Sequence, residues 1–340
     1  MTLFNGIREN NFLVIGRVGI DFFPDPPGCK TEDATTMSVG MGGSSANIAA
    51  GIVKLGGQAA LVTSVSDDSV GRYCLNQLRH YGIGSHYVKN VGGEARNSLA
   101  VYESRVDDHQ SVIYRNGAAD FEMTVADVEA VEYSAYGALI TAGTVFAAEP
   151  SRSAAFRAFE LARAAGLPIL FDVDYRPYSW PSAQIAEEVL SKAAALSDAI
   201  VGNDDEFGFM SGDKARGLQK ARDLAQNSAQ LVIYKMGEDG SITITPETEF
   251  RTGIYPVQAL KPTGAGDSFM AGLVSSIAAG HSLQQAVLRG SACASITVSK
   301  PGCAPAMADS DTLATFLQNH SGATNTVSYT HLTLPTTAIV

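Results

Sequence analysis

The sequence predicts an α/β fold, in which a doubly wound and mostly parallel sheet carries helices on both faces. First, apolar runs typical of strands alternate with helical patterns along most of the chain. Second, several of these runs are continuously apolar and end in polar or glycine residues, which is typical of strands buried on both faces of a parallel sheet. Third, residues 22–41 and 97–115 break the alternation, and they predict a small β lid inserted into the α/β domain.

Five apolar runs are the predicted strands of the main sheet. They are residues 11–16, 59–66, 167–174, 198–203 and 230–237. Helical patterns separate these strands, and the predicted helices are residues 44–57, 68–82, 151–165 and 182–196. In the first helix, Ile48 and Ile52 recur four residues apart, and Gly56 and Gly57 end the pattern.

The two segments of the predicted lid differ in composition. Residues 22–41 are rich in proline and polar residues and end in a short strand-like piece, whereas residues 97–115 form a predicted hairpin joined by "RVDDHQ". No repeat and no linker divides the chain, so we expect one domain over residues 11–320. The tail, residues 321–340, is polar and lacks a helical or clean strand period. We interpret it as a vector-derived extension and leave it out of the predicted fold.

Composition and charge exclude several classes of protein. The 340 residues carry a net charge of −11 without a block of lysine and arginine, so a nucleic-acid surface is not expected. The N-terminus shows no signal peptide, and no apolar stretch reaches the roughly 18 residues of a membrane span. The four cysteines lack zinc or thioredoxin spacing and are too few for a disulfide scaffold. We therefore expect a cytoplasmic, reducing location and no membrane partner.

The stretch "KPTGAGDSFMAGL", residues 261–273, places a glycine-rich turn directly before an apolar helix. Gly264, Ala265 and Gly266 have little or no side chain, so their amides can approach an anion at the helix N-terminus. Asp267 falls in the first turn, where the helix dipole favours its ionised form. An ionised acid beside an anion hole suits phosphoryl transfer to a hydroxyl, because the acid accepts the hydroxyl proton. The stretch alone is equally consistent with a plain helix cap.

Two further segments have the same ambiguity. "GGSSANIA", residues 42–49, is a second glycine-rich helix start that contains Asn47, and its alternative is a cap by Ser44 or Ser45. "NDDE" places Asn203 and Glu206 one helical turn apart after a predicted strand. Such a pair can hold hydrated Mg²⁺ through water, but it also matches a capping box, which we favour for this segment taken alone.

Together, these three segments resemble the signatures of the ribokinase-like (PfkB) carbohydrate kinases. They occur in the order found in that family, and the resemblance covers about residues 12–306. It implies a ribokinase-like fold, ATP as co-substrate and Mg²⁺, with K⁺ as an optional further ion. The sequence contains no GxxxxGK[ST] stretch and no HRD or DFG, so neither a P-loop kinase nor a protein kinase is indicated.

The resemblance also implies a role for each matching residue. Asp267 would be the catalytic base, and residues 264–266 would form the anion hole. The implied sugar side consists of Asp21, placed at the end of the first predicted strand, with Gly43 and Asn47. The implied nucleotide side consists of Asn203, Lys235, Gly237, Gly240, Thr263, Gly264 and Gly266. Glu206 would hold Mg²⁺ through water.

Two arginines bear on the substrate. Arg115 ends the predicted hairpin and Arg176 follows a predicted buried strand. An arginine recognises a carboxylate with two parallel hydrogen bonds, so the pair suggests a sugar acid rather than a neutral sugar. The alternative is structural. Arg176 could pair with Asp172 or Asp174, and Arg115 could pair with Asp120.

Longer segments narrow the resemblance within the family. They are "GRVGIDFFPDPPG", "VGGEARNSLAVYESRVDDHQSVIYRNGAADF", "AAEPSRSAAFRAFELARAAG", "DVDYRPYSWPS", "YKMGEDGS" and "ALKPTGAGDSFM". These are similar to the 5-dehydro-2-deoxygluconate kinases of myo-inositol catabolism, which implies phosphorylation of the C6 hydroxyl of that sugar acid. The 2-keto-3-deoxygluconate kinases are also similar, but they often place a tyrosine where this chain has Ile113.

Several alternatives remain open at this point. Another substrate of the same family, such as 2-keto-3-deoxygluconate, fructose or ribose, would keep the same site. A non-catalytic sugar or nucleotide sensor would keep the fold, although a sensor has no need of the base Asp267. The predicted lid has exposed strand edges, which often pair between subunits, so we expect a homodimer formed through the lid.

Overall fold

The computed structural model describes residues 2–105, 108, 110–320, 323 and 329–331. The strands in these ranges are β1 (Asn11–Ile15), β2 (Gly19–Asp25), β3 (Thr36–Gly42), β4 (Gln58–Ser66), β5 (Gly84–Val91), β6 (Leu99–Tyr102), β7 (Ser111–Tyr114), β8 (Ala138–Ala142), β9 (Ile169–Asp172), β10 (Ala199–Asn203), β11 (Leu231–Lys235), β12 (Ser241–Ile244), β13 (Thr248–Thr252) and β14 (Tyr329–His331). The α-helices in these ranges are α1 (Leu3–Arg8), α2 (Ser44–Lys54), α3 (Ser69–His80), α4 (Val125–Glu129), α5 (Ser151–Ala164), α6 (Ala183–Ala195), α7 (Asp204–Met210), α8 (Gly217–Asn227), α9 (Ala265–Ala278), α10 (Leu283–Val298) and α11 (Ser310–Asn319).

The main sheet has ten strands in the order β14-β13-β12-β11-β10-β9-β8-β1-β4-β5. Strands β1, β4, β5 and β8 to β11 are parallel, and β12 to β14 extend one edge in antiparallel fashion. From β1, the chain first adds β4 and β5 on one side of the main sheet. It then adds β8, β9, β10 and β11 in succession on the other side of β1. The predicted doubly wound, mostly parallel sheet is therefore confirmed.

Side chains from the main sheet enter two hydrophobic cores, one on each face. In β1, Leu13 and Ile15 pack into the core beneath α4 to α8, whereas Phe12 and Val14 pack into the core beneath α1, α2, α3, α9 and α10. Both sets of β1 side chains are at most 1% exposed. Burial on both faces explains why the strands of this sheet are continuously apolar in the sequence.

A second sheet has four strands in the order β3-β2-β6-β7. Strand β2 is antiparallel to β3 and parallel to β6, and β6 forms an antiparallel hairpin with β7. This confirms the small inserted sheet expected from residues 22–41 and 97–115. Residues 106, 107 and 109 of its predicted turn lie outside the described residues.

One expectation about the ends of elements was wrong, and part of the tail takes part in the main sheet. Asp21 does not end the first strand, because β1 ends at Ile15 and Asp21 lies inside β2 of the small sheet. The tail was left out of the fold, yet Tyr329–His331 forms β14 and pairs antiparallel with β13. Three residues are too few to show a period in the sequence.

Over the described ranges, no helix is both long enough and apolar enough to cross a membrane.

Candidate active site

One cavity of about 670 Å³ lies where the carboxyl ends of β9, β10 and β11 face the small sheet. Ligands of open α/β sheets bind beyond these strand ends. All the residues that the sequence predicted for a site line this cavity. They are Asp21, Gly43, Asn47, Arg115, Arg176, Asn203, Glu206, Lys235, Gly237, Gly240, Thr263, Gly264, Ala265, Gly266 and Asp267.

The glycine-rich turn before α9 leaves the start of this helix without a side-chain cap. Its N-cap residue is Gly264, in the left-handed conformation with φ +81°, and no side chain within the described ranges caps the helix. The plain-cap interpretation of Asp267 is therefore wrong. The Asp267 carboxylate instead accepts a hydrogen bond from Nδ2 of Asn47 at 2.9 Å. Uncapped amides at a helix N-terminus are suited to an anion.

Burial in the cavity controls the protonation of Asp267. Burial, and next the nearby Asp174 carboxylate, raise the pKa of Asp267 to about 6, against the opposing effect of the Asn47 hydrogen bond. The helix dipole, which favours the ionised form, is therefore not the only influence on this carboxyl, because burial acts in the opposite direction. With a pKa of about 6, Asp267 is still mainly ionised at neutral pH, and it is basic enough to accept a proton.

The helix start that contains Asn47 is also uncapped. The N-cap of α2 is Gly43, with φ +99°, and neither Ser44 nor Ser45 caps the helix. The Ser45 hydroxyl donates to the Ile15 carbonyl at 3.1 Å, so the predicted serine cap was wrong. A Cβ on Gly43 would lie 2.4 Å from a main-chain carbonyl oxygen, so a side chain does not fit at this position.

Asp21 presents a buried carboxyl to the cavity. It is 1% exposed, and its Oδ1 has no hydrogen-bond partner among the described residues. Burial raises the pKa of Asp21 to about 7, although Arg17 opposes this shift. A Cβ on Gly42 would lie 1.9 Å from Oδ1, so only glycine leaves room for the Asp21 carboxyl. Asp21 lines the cavity, so its carboxyl is placed to accept a hydrogen bond from a ligand hydroxyl.

The two predicted arginines already carry partners within the protein. Arg115 forms a buried ion pair with Asp120, and its Nη1 donates to the Thr144 carbonyl at 2.9 Å. Arg176 pairs with Asp174 at 2.7 Å rather than with Asp172. The structural alternative is therefore realised for both arginines, although both still line the cavity.

Sequence reasoning missed a third arginine, Arg17. It lines the cavity, is 5% exposed and donates from Nη1 to the Ser98 hydroxyl at 2.9 Å. No carboxylate within the described ranges lies within ion-pair distance of Arg17. The signal available in the sequence was a single cation in the otherwise apolar run "FLVIGRVGI", residues 12–20. An arginine in such a run needs a polar environment, and the cavity supplies one.

At the side of the cavity formed by the ends of β10 and β11, Asn203 and Glu206 form the capping box that the sequence favoured. The Asn203 amide donates to Oε2 of Glu206, and the Glu206 amide donates to Oδ1 of Asn203, both at 2.8 Å. Oε1 of Glu206 also accepts from the Tyr175 amide at 3.1 Å. Burial raises the pKa of Glu206, and the Lys235 ammonium opposes this. Glu206 therefore caps α7 and lines the cavity at the same time.

Lys235 and Asp172 complete this side of the cavity. Lys235 is half-buried, and its Nζ lies only 3.3 Å from the position that a Cβ on Gly266 would take. Lys235 is therefore directed at the turn 264–266. Asp172 was not predicted as a site residue, and burial raises its pKa to about 8 against the attraction of Lys235.

Within the described ranges, no group of three His, Cys, Asp or Glu side chains encloses a metal position.

Comparisons with known proteins show the family to which the chain belongs. The family described as pfkB family carbohydrate kinase matches residues 9–310. A 5-dehydro-2-deoxygluconokinase of Photobacterium profundum is 34% identical over 316 residues, which is 92% of this chain and 96% of that protein. One of Geobacillus kaustophilus is 32% identical over 322 residues, or 93% of this chain and 96% of that protein. The chain belongs to the pfkB family of carbohydrate kinases, and it is an ATP-dependent sugar kinase.

Solved structures have the same fold. A PfkB protein from Polaromonas sp. JS666 is 25% identical with a TM-score of 0.76, covering 87% of this chain and 98% of that one. A fructokinase from Vibrio cholerae, solved with fructose, ADP and potassium ion, is 22% identical with a TM-score of 0.79. That match covers 90% of this chain and 98% of the fructokinase, and it shows the fold alone.

Proposed function

We propose that this kinase transfers the γ-phosphoryl group of ATP to the C6 hydroxyl of 5-dehydro-2-deoxy-D-gluconate, with Asp267 as the general base. The observation that carries this proposal is the position of Asp267. Its carboxylate lies in the first turn of an uncapped helix and faces the same cavity as Asp21 and three arginines. The names of the relatives support the choice of sugar acid.

The proposed reaction needs one proton acceptor and one anion site. Asp267 accepts the proton of the sugar hydroxyl while the hydroxyl oxygen forms its bond to the γ-phosphorus. The bond between that phosphorus and the oxygen of the leaving ADP breaks in the same displacement. The amides of Gly264, Ala265 and Gly266 stabilise the negative charge on the transferring group. Asn47 holds the Asp267 carboxylate through its 2.9 Å hydrogen bond, and this orients the base.

The sugar acid would lie between Asp21 and the arginines. The Asp21 carboxyl accepts a sugar hydroxyl, and Gly43 and Asn47 border the same region. Arg115 and Arg176 already form ion pairs with carboxylates of the protein, whereas Arg17 forms none within the described residues and acts on Asp21 only at longer range. We therefore assign the main contact with the substrate carboxylate to Arg17, with the other two arginines adding positive charge nearby. A neutral sugar such as fructose or ribose would leave this charge without a partner.

The nucleotide would occupy the opposite end of the cavity. We assign it to Asn203, Lys235, Gly237, Gly240 and Thr263, which line that end together with the turn 264–266. Mg²⁺ binds few protein carboxylates and keeps waters and phosphate oxygens as ligands, so the buried Glu206 fits it through water. When bound, the ion would neutralise charge on the phosphate oxygens.

The small sheet would act as a lid and as a dimer surface. Its cavity face carries Asp21 and Ile113, and strand register places Val39, Val112 and Tyr114 on the opposite face. These three apolar side chains are 46%, 45% and 62% exposed. Apolar groups exposed together on one face favour association, so we propose a homodimer through this face.

The proposed dimer can be tested with one substitution on the outer face of the lid. Tyr114→Glu places a charge on the outer face of the lid and should convert the dimer to a monomer in sedimentation velocity. A wild-type protein that sediments as a monomer at all concentrations would contradict the dimer. We also propose a reducing, cytoplasmic location, which agrees with four cysteines that form no disulfide.

A substrate panel assayed by ADP release tests the proposed function. We expect 5-dehydro-2-deoxy-D-gluconate to give the highest kcat/KM, with 2-keto-3-deoxygluconate next and fructose and ribose far lower. A neutral sugar that exceeds every sugar acid would contradict the assignment of the arginines. Tight ATP binding without ADP formation on any sugar would instead favour a non-catalytic sensor.

A further inference from the structure

Lys261 is a fully buried lysine directly beside the turn that begins α9. Its side chain is 0% exposed, and its Nζ donates to the Thr263 carbonyl at 2.7 Å and to the Thr297 carbonyl at 3.2 Å. The Lys261 amide also donates to the Val298 carbonyl at 3.2 Å. Lys261 therefore joins the residue that precedes Gly264 to the last turn of α10.

A buried ammonium group at this position needs a physical explanation. Removing a charge from water is costly unless other groups compensate it, and no carboxylate in the described part of the chain pairs with Lys261. Burial lowers the pKa of Lys261, while the charges of Asp267 and Asp21 act in the opposite direction. The direct compensation comes from two main-chain carbonyl oxygens, one of them at the negative end of the α10 dipole.

Main-chain carbonyl oxygens that converge on a buried point are also the ligands by which proteins hold dehydrated alkali cations. In this chain, the carbonyls of Thr263 and Thr297 are already directed at the Lys261 ammonium. A K⁺ ion on the same two oxygens would be strongly repelled by that charge in a medium of low dielectric constant. The residues present here therefore do not fit K⁺ at this position, although the sequence left K⁺ open as a further ion.

We propose that the Lys261 ammonium takes the place of a monovalent cation behind the anion-binding turn, so that this kinase does not need K⁺. The inference rests on the proposed function, because it assumes that the turn 264–266 binds the transferring phosphoryl group. Lys261 does not line the cavity and does not touch the reacting atoms. It is a positioning residue that places a fixed positive charge behind the amides and anchors the turn to α10.

The first test uses the wild-type protein and needs no variant. ADP release is compared in K⁺, Na⁺ and tetramethylammonium chloride at equal ionic strength, and ATP binding is followed by calorimetry in the same three salts. We expect kcat and the ATP dissociation constant to change by less than about twofold between the salts. A several-fold increase in kcat specific to K⁺ would overturn the proposal. If no sugar is phosphorylated, the proposed function fails, whereas the ion dependence of ATP binding still tests Lys261.

The second test removes the ammonium group. Lys261→Ala should lower kcat by at least about tenfold, as expected for losing a fixed charge near the transferring group, with little change in the KM of the sugar. The space left behind should admit K⁺ or NH₄⁺, and these ions should restore part of kcat and raise the unfolding temperature of this variant. Lys261→Met fills the space without charge, so kcat should fall and neither ion should restore it.

A matched control separates this role from structural capping. The Lys54 ammonium also donates to main-chain carbonyls, those of Ala304, Pro305 and Met307, but it lies outside the cavity lining. Lys54→Ala should lower the unfolding temperature without making either kcat or the melting curve depend on K⁺. If Lys261→Met kept the wild-type kcat and only melted earlier, Lys261 would be a helix cap and the proposal would be wrong.

Discussion

Asp267→Asn is the substitution that tests the proposed chemistry most directly. Asparagine has the same shape and retains an oxygen that can accept the 2.9 Å hydrogen bond from Asn47, so the site should keep its geometry. It cannot accept the proton of the sugar hydroxyl. Because a positioned general base contributes about 10²- to 10⁴-fold, we expect kcat to fall by about 10³-fold, or about 4 kcal/mol. The affinity for ATP should change little.

The same substitution should make the protein more stable at neutral pH. The folded-state pKa of Asp267, about 6, is higher than that of an exposed aspartate, so the ionised carboxylate destabilises the fold above its unfolded-state pKa. That cost is at most about 3 kcal/mol at neutral pH, and it disappears as the pH falls and the folded protein binds the proton. Asparagine removes this cost, so Asp267→Asn should melt at a higher temperature than the wild type.

The assay combines ADP release with thermal unfolding at neutral pH. Asp68→Asn is the matched control, because Asp68 caps α3 through the amides of Val70 and Gly71 and lies outside the cavity. Asp68→Asn should keep kcat. If the kcat of Asp267→Asn stayed within about tenfold of the wild type, Asp267 would not be the base. A variant that lost activity and also melted earlier would point to a structural role instead.

Three further predictions concern the same cavity. The value of kcat/KM should rise as the pH increases through about 6, because Asp267 acts only when ionised; a profile flat from acidic to neutral pH would argue against this. Arg17→Met should raise the KM of the sugar acid by about 10- to 100-fold and leave the KM of ATP unchanged, since it removes a charge-assisted contact; equal effects on a neutral sugar would contradict the assignment. Gly42→Ala would place a Cβ 1.9 Å from Oδ1 of Asp21, so it should weaken sugar binding and cost about 1–3 kcal/mol of stability in a denaturant melt, whereas an unaffected variant would show that the site has room.

The main sheet could be predicted from the sequence because each of its parallel strands is buried on both faces. Strands β9 and β10 are short, apolar and bounded by polar residues, and both were found within a few residues of their ends. The position of Asp21 could not be found in the same way. Only three residues separate β1 from β2, so the sequence shows one apolar run where the chain leaves one sheet and enters another.

Motifs predicted the candidate site because its glycines and acids lie close to one another in the chain. The turn before α9 and the box at Asn203 are local patterns, and they could be read without any tertiary contact. Arg17, Asp172 and Lys261 could not be found by such patterns. Each is a charged residue whose burial depends on distant segments, such as Ser98 for Arg17 and Thr297 for Lys261. A sequence pattern does not carry that information.

The placement of charge supports the proposal that one cavity holds both a phosphoryl group and a base. The turn 264–266 lies between two lysines, with Lys235 on the cavity side and Lys261 on the buried side. Both add positive charge where the phosphate oxygens would bind, which strengthens the effect of the amides. The carboxyl of Asp267 is surrounded differently, because burial and the charge of Asp174 raise its affinity for a proton. The proposed transfer requires this separation, since the phosphate needs positive charge and the hydroxyl proton needs a basic carboxylate beside it.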